Sequence, residues 1–584
     1  VLRRGLVTLT FAVLVCLVGV SPARADRGGF VIHDFDSEAV VRPDAGLSIT
    51  ERITVDFSEP RHGIYRLIPV RYTDPLGYAY DLGFRFVGAE YEGGRKVGVK
   101  IGNQGPYMNL RLGDADRTVT GRQVYVIHYR LDDLVHRLAV HDELYLNATG
   151  NEWPAPIENA SATVRLPAPL PADSLSALAY TGGLGGRGHD ARITFPGPGA
   201  VRYEMTHSLG PREGLTVDLT WPSGYVKYPG TLARIGRFFA ANWVLLAPFL
   251  FAGVLWRRYW VAGRDPRGPA AVMVRYEPPE ELTAGEVGTL VDESVDTRDL
   301  TAMVVDLAVR GYLTIHVEER SVFLGLGKHQ ETVFEHRREK SWNDLHPAER
   351  RLMAGLFETG DRVGTSDLKQ KFYVHIPKIK DALYNRLVDR GYFAGNPATV
   401  RGTVIGLGVL AAVVIFAIGL IWIRMRGGVL PNGIVVPIVA AGLTMAVFAA
   451  FSPAMPRRTK AGVKMRSWAL GFEEFVNRVE KDRLEADRKR NTFEALLPYA
   501  MALGVAAAWA RKFEGIYDRA APAWYVGPTP GAVFSTIAFE HSLSSSMSQA
   551  TQSLTSAPRS SGASGAGGGG FSGGGGGGGG GGSW

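Results

Sequence analysis

Only one cysteine, Cys16, occurs in 584 residues, and it lies in a leading stretch expected to be removed. A mature chain without thiols has no disulfide framework, no thiolate nucleophile and no cysteine metal site. Charge is missing where a transporter would need it. The three long apolar runs contain no Asp, Glu, Lys or Arg, the residues that mark an ion or proton path through a membrane. A basic groove is missing too, although the net charge is +8 and the pI is near 9.3. Residues 26–230 are slightly acidic and 257–401 balance at zero. The excess sits in the leading stretch, beside the apolar runs and after residue 454. That distribution suits basic residues facing cytoplasm and anionic lipid, and argues against a nucleic-acid partner.

What is there begins with a basic Leu2-Arg3-Arg4, an apolar run from Leu6 to Val20 and a small-x-small Ala23-Arg24-Ala25. This is the pattern of a signal peptide over 1–25. Phe238 to Trp256 is an uncharged run of 19 residues, about the minimum for a roughly 30 Å hydrocarbon core at about 1.5 Å per residue. Thr403–Ile423 and Ile434–Phe451 are two further expected spans, of 21 and 18 residues. Arg457, Arg458, Lys460, Lys464 and Arg466 crowd the outer flank of that pair, against two basic residues in its loop. The bias puts the loop outside. Residues 26–237 are then exterior or periplasmic, and 257–401 and 454–584 cytoplasmic, in a multi-pass protein of the cell membrane whose one certain partner is the lipid bilayer.

Between Phe30 and Trp221 there is no long helical pattern. Short alternating runs are punctuated by Gly, Pro and Asp. Leu47, Ile49, Ile53, Val55 and Phe57 keep the period of two that turns one strand face inward. Pro43-Asp44-Ala45-Gly46 supplies turn chemistry, so Val31–Phe57 reads as a hairpin. Further strands are expected at 84–91, 97–101, 123–129, 162–166, 201–205 and 215–219, which points to an exported antiparallel β-sandwich over 26–233. Two stretches stand apart. One is Arg61-His62-Gly63-Ile64-Tyr65-Arg66; the other is Asp142–Asn147 followed by Gly150-Asn151-Glu152-Trp153-Pro154. Arg61, Tyr65, Arg66, Asn147, Asn151, Glu152 and Trp153 form a candidate recognition set, offering hydrogen bonds and a stacking face. The plainer expectation is a well-ordered loop with Trp153 plugging the end of the sandwich. His136 and His141, five apart, fall on opposite faces of a strand, and no metal or other cofactor is expected. A hydrolase built on Asp142, Glu143 and Glu152 has only carboxylates in its favour.

Residues 257–401 read as an α+β, winged-helix-like cytoplasmic domain with a tandem pattern: Leu307-x-x-Arg310-Gly311-Tyr312 is echoed by Leu387-x-x-Arg390-Gly391-Tyr392, each a helix stopped by glycine and expected to run into a strand. A DNA reader would have to use Lys378, Lys380 and Arg386 on the last helix. Residues 454–541 read as helical, with Phe472, Phe475, Val476 and Val479 on one face. Leu496–Ala510 is apolar but short for a span, so it is expected to be buried or to lie on the membrane surface. From Ser542 to Trp584 a Ser- then Gly-rich tail is expected to be disordered, with Phe571 and Trp584 as candidate docking residues.

The order of these pieces resembles the YciQ-like predicted bacterial membrane proteins, whose exterior part is a domain of unknown function (2207). The likeness rests on Arg61–Arg66, Glu143–Trp153, Gly263-Arg264-Asp265-Pro266, Tyr276-Glu277-Pro278-Pro279, Arg310-Gly311-Tyr312-Leu313, Leu497-Pro498-Tyr499-Ala500, Trp524-Tyr525 and the glycine tract before Ser583-Trp584. It implies an exported domain, three spans and a cytoplasmic helical part, and it brings no catalytic residue. The function expected is a non-enzymatic membrane protein that couples an exterior binding domain to cytoplasmic interaction modules with an unknown protein partner. The alternative is a membrane-tethered winged-helix transcription regulator. Oligomeric state is not legible.

Overall fold

The computed structural model describes residues 29–74, 76–269, 271–279, 281–322, 327–426, 433–478, 492–515, 522–527, 535–556 and 579–584. The signal-peptide expectation, Val479 and Phe571 lie outside the described residues. Two compact units emerge. One comprises 1–247, 414–440 and 567–584; the other comprises 248–413 and 441–566.

In the first unit a seven-stranded sheet runs, edge to edge, through Ala191–Gly197, Ala200–Met205, Ile157–Arg165, Phe30–Val41, Leu47–Arg61, Val119–Leu131 and Phe84–Tyr91. The expected hairpin is at its centre, with Leu47 opposite Val41 and Phe57 opposite Phe30. A register shift between Ile32 and Asp34 changes which parity faces inward, so Phe30 and Ile32 are buried before it and Phe35, Ala39 and Val41 after it. The sheet is not wholly antiparallel: Phe30–Val41 and Ile157–Arg165 run parallel. A parallel pair needs a long crossover, and residues 42–156, which build most of the domain, provide it. Besides the small two-stranded pair Arg71–Thr73 and Ala79–Asp81, two four-stranded sheets lie in the same unit. One is ordered Val135–Arg137, His141–Asn147, Gly214–Pro222, Ser176–Gly182; the other Gly581–Ser583, Gly63–Pro69, Tyr107–Gly113, Val99–Gln104. The three larger sheets share one core, which includes Phe35, Leu112, Tyr125, Trp153, Tyr203 and Trp221.

Among the described residues, three helices are long and apolar enough to cross a membrane: Trp243–Gly263, Pro397–Met425 and Val435–Ala454. The second and third cover the expected spans. The first begins five residues later than expected, because Asn242 breaks the helix at Ala241. Its side-chain amide donates to Ala79 O (2.7 Å) and accepts from Ala79 N (3.0 Å), while Phe238 packs on Tyr78 with ring centroids 5.5 Å apart. Phe238–Ala241 are thus committed to the short strand Ala79–Asp81.

The second unit is helical around a small sheet ordered Arg362–Gly364, Gly327–His336, Leu313–Val322, Tyr525–Val526. The two echoed helix ends close alike. Gly311 (φ 80°) and Gly391 (φ 73°) are left-handed, and Tyr312 N and Tyr392 N reach back to Leu307 O and Leu387 O, both at 2.9 Å. Only the first runs into a strand. After Gly391 the chain makes a single bridge, Phe393 to Arg458, so the second helix-into-strand expectation is not met. The hairpin Leu313–His336 also precedes the helices Pro347–Leu356, Thr365–Leu368 and Ile376–Asp389, whereas a wing follows its recognition helix.

The resemblance motifs in this unit act as struts. Asp265 of Gly263-Arg264-Asp265-Pro266 accepts from Arg458 N (2.7 Å) and Nη1 (2.9 Å). Arg458 in turn caps the helix Ala284–Asp292 by donating to Leu290 O (3.0 Å) and Val291 O (2.7 Å). Glu277 O receives Trp468 Nε1, Tyr499 OH donates to Leu282 O, and Trp524 Nε1 donates to Glu494. The apolar run expected as one helix over 496–510 is two, Thr492–Ala502 and Ala506–Phe513, turned at Gly504 (φ 76°) and buried in the core. The disordered tail expected from Ser542 is corrected over its first part, because Thr536–Thr555 is a helix. Phe539, Leu543, Met547, Ala550 and Leu554 recur at three and four residues and are buried. Serines between them lowered the average apolarity and masked the stripe.

Candidate functional site

The strand Leu47–Arg61 turns every second residue inward, and the inward parity that carries Leu47, Ile49, Ile53 and Val55 also carries Glu51. A lone buried carboxylate is costly, so it must be paired and hydrogen-bonded. The pairing comes from the strand Gly63–Pro69, where Arg66 is 2% exposed and Glu51 0%. Arg66 Nε and Nη2 form a two-pronged contact with Glu51 at 2.9 and 2.8 Å, and Tyr129 OH donates to the same carboxylate at 2.7 Å. Burial works against the Arg66 charge, but the adjoining Glu51 outweighs it and holds the guanidinium pKa above its ordinary value. Burial together with the Glu51 charge raises the Tyr129 phenol, which stays a donor. The guanidinium lies over both Phe35 and Trp153, 5.7 and 5.8 Å from their centroids.

Trp153 is fully buried, donates Nε1 to Thr149 O at 2.9 Å and meets Phe35 edge-on. Asn147 and Asn151 stand behind it. Asn147 Oδ1 accepts from Gly150 N (2.8 Å), Asn147 donates to Asn151, and Asn151 Nδ2 donates to Gly182 O (2.9 Å). Glu152 accepts from Tyr107 OH at 2.6 Å. The first recognition stretch is a strand from Gly63, where the expected loop would lie. Gly63 (φ 148°) is required at its start because a Cβ would run into Leu112 O across the pair. Likewise His141–Asn147 is a strand, with His136 opposite Glu143. No group of three His, Cys, Asp or Glu suited to a metal occurs among the described residues.

The edge of Gly63–Pro69 is occupied by the chain's own Gly579–Trp584. Gly581, Gly582 and Ser583 pair antiparallel with Arg66, Tyr65 and Ile64. Leu67 N donates to Gly580 O (2.6 Å), His62 N to Trp584 O (2.7 Å) and Trp584 N to Gly63 O (3.2 Å). Arg66 Nη1, the guanidinium arm left over from Glu51, donates to Gly580 O at 3.3 Å. The Trp584 ring stacks on His62 (centroids 5.4 Å, 29°) beneath Arg111 (5.7 Å). His62 is itself fixed through Nδ1–H to Asp114 O at 3.1 Å. The slot excludes side chains. A Cβ on Gly579 would overlap Leu67 O, one on Gly580 the Glu152 backbone, one on Gly581 the Trp153 ring and Tyr65 O, and one on Gly582 the Tyr65 ring.

Tyr65, Arg66, Glu152 and Trp153 therefore line one groove, with Asn147 and Asn151 supporting it and Trp584 bound in it. Arg61 lies apart, with Nη2 3.4 Å from Glu59. Sequence reasoning missed Glu51, His62, Arg111 and Tyr129; an acid at the inward parity of an apolar strand was the available signal for Glu51. Three crossings between Gly230 and Gly579 would place 579–584 opposite the sheet domain, on the expected cytoplasmic side, whereas the strand pairing joins the two within one compact unit. That expectation rests on Lys and Arg bias, and the chain after Arg559 carries no charge.

Comparison with known proteins follows the same division. The N-terminal domain of a family described as "Predicted membrane protein (DUF2207)" matches residues 31–221, and its C-terminal domain matches 273–513. The uncharacterized protein YciQ of Escherichia coli (strain K12) is 26% identical over 373 residues, 60% of this chain and 56% of that one. The chain thus spans about half the length of that curated relative. Among solved structures, an M1 zinc metallopeptidase from Deinococcus radiodurans is 17% identical over 33% of this chain and 42% of that one, at a TM-score of 0.21. Yeast LTA4 hydrolase is 10% identical over 32% of this chain and 29% of its own, also at 0.21. Likeness at that level carries no argument. The two domain matches together cover most of the chain, which belongs to the DUF2207 family of predicted membrane proteins.

Proposed function

We propose that the protein is a non-enzymatic, multi-pass protein of the cell membrane whose exterior sheet domain holds a partner strand along Gly63–Pro69. The second unit then offers cytoplasmic interaction surfaces. The observation that carries this is the pairing of Gly581–Ser583 with Ile64–Arg66 over a floor of Trp153 and a buried Arg66–Glu51 pair. Main-chain bonds supply affinity and alternate pockets supply specificity, as in other strand-addition sites. The groove presents hydrogen-bond donors and rings, with Glu152 held by Tyr107 and Glu51 by Arg66, so neither carboxylate is poised as a base.

The alternative of a tethered winged-helix regulator has less support. Two of the three cations it needs are engaged inside the unit: Lys380 Nζ donates to Val295 O (2.7 Å), and Arg386 pairs with the buried Glu286. The test of the main proposal is hydrogen exchange on the full-length protein in detergent beside a form ending at residue 578. Loss of protection at the His62 and Leu67 amides on truncation is expected. Unchanged exchange at both would sink strand addition.

A further inference from the structure

Strand addition on Gly63–Pro69, the proposal just made, leaves open which chain supplies the strand in a membrane. The sheet domain precedes the three apolar helices, and Gly579–Trp584 follows them. Each helix is long enough to cross, and three crossings put the two ends of that stretch on opposite faces. A glycine strand has no means of lying in hydrocarbon, since its main-chain groups would go unpaired. The groove and the segment that fits it are therefore complementary but, in a bilayer, separated within one chain.

We infer that the groove is a receptor for a glycine-tract peptide of the form Gly-Gly-Gly-Gly-Ser-Trp carried by a different protein chain on the sheet-domain side, for which Gly579–Trp584 is the resident template. A second copy of this chain does not meet the requirement, because its segment would be stranded on the same wrong face. The ligand class is set by what the slot refuses. Four successive positions, Gly579 to Gly582, have no room for a Cβ, and the obstructions include backbone at Leu67, Glu152 and Tyr65 that cannot swing away. The ring shelf then demands an aromatic residue, since His62 stacks on it and the Arg111 guanidinium lies over it. Ser583 is buried between the two requirements. Polar recognition goes to the ligand main chain, through Leu67 N, His62 N, Arg66 Nη1 and Gly63 O.

The probe is a synthetic Gly-Gly-Gly-Gly-Ser-Trp peptide with a fluorophore at its N-terminus. It is titrated against full-length protein and against its Trp584→Ala form. Each form is measured in detergent and in sealed vesicles, counting molecules whose sheet domain faces the bath. In detergent the resident segment is free to compete, so wild type binds the probe roughly tenfold or more weakly than Trp584→Ala. In sealed vesicles the two forms bind equally. Alanine for the third glycine of the probe, or for its Trp, lowers affinity by roughly tenfold or more, as does the double change His62→Ala with Arg111→Ala. If wild type in sealed vesicles remains as weak as in detergent, its own segment fills the groove and supply by another chain is refuted, while strand addition survives. Probes with alanine at the glycine positions binding as well as the parent would refute the ligand class. Absence of binding to Trp584→Ala in detergent would overturn strand addition itself.

Discussion

Glu51→Gln is the most informative single change in the sheet domain. It removes one negative charge at a site that is 0% exposed and strands Arg66, 2% exposed, against Phe35 and Trp153. The two-pronged contact at 2.8 and 2.9 Å becomes at best one neutral acceptor, and Tyr129 OH loses a charged partner at 2.7 Å. Breaking one half of a buried pair leaves an uncompensated charge and costs about 3–5 kcal/mol. For a domain of this size that is a fall in Tm of roughly 6–20 °C. The double change Glu51→Met with Arg66→Met removes both charges and should cost far less than the sum of the singles, giving a coupling of about 3 kcal/mol. The assay is urea unfolding of the full-length protein in detergent, read by hydrogen exchange on Leu47–Arg61 so that only this domain is scored. A loss below about 1 kcal/mol for Glu51→Gln, or simple additivity in the double change, would refute the claim that the pair is a desolvated unit.

Asp299 in the second unit is pushed up to about 8 by burial, with the neighbouring Asp296 charge adding to it. Its folded pKa lies above its unfolded value, so the folded state binds the extra proton and stability of this unit should fall as pH rises from about 4 to about 8. Asp299→Asn should flatten that slope, and an unchanged slope in unfolding curves across that window would count against it. Arg458→Ala frees Leu290 O and Val291 O and takes the guanidinium from Asp265 and Glu293, leaving Asp265 the backbone N–H of residue 458 and Glu293 the more distant Arg401, so a loss of about 3 kcal/mol is expected, with Arg458→Lys recovering less than half. Gly311→Ala and Gly391→Ala each force a side chain into the left-handed region and should cost about 1–2 kcal/mol in thermal unfolding. Equal stability would mean that the helix ends relax into another closure.

Local order was legible where a short-range rule suffices. The period of two in Leu47–Phe57 marked the central strand, and the two glycine stops marked two helix ends that close with the same bonds. What could not be read depended on distant partners. Gly63–Pro69 carries Arg66 on its inward face, and an inward arginine looks like a loop residue until Glu51 is placed against it. The pairing of Gly581–Ser583 with Ile64–Arg66 joins residues more than five hundred positions apart, through a ligand strand with no glycine side chain to give it a pattern. Thr536–Thr555 was hidden by serine, which lowers mean apolarity without disturbing the spacing of Leu543, Met547, Ala550 and Leu554. The first span was misplaced because Asn242 spends its amide on Ala79, a choice invisible to a hydropathy count.

Four bare positions in the slot also separate how far the ligand reaches from how well it fits. Residues 573–582 are ten consecutive glycines, of which Gly579–Gly582 occupy the slot. Sliding such a strand along Gly63–Pro69 by two residues would present the same main chain to the same donors. The Trp584 ring, seated on His62, and the Cβ of Ser583, which the Gly581 position has no room for, stop the slide. Insertions or losses of glycine upstream of Gly579 would therefore leave the seat of Trp584 untouched, so the tract is free to lengthen or shorten in sequence without any compensating change in the groove.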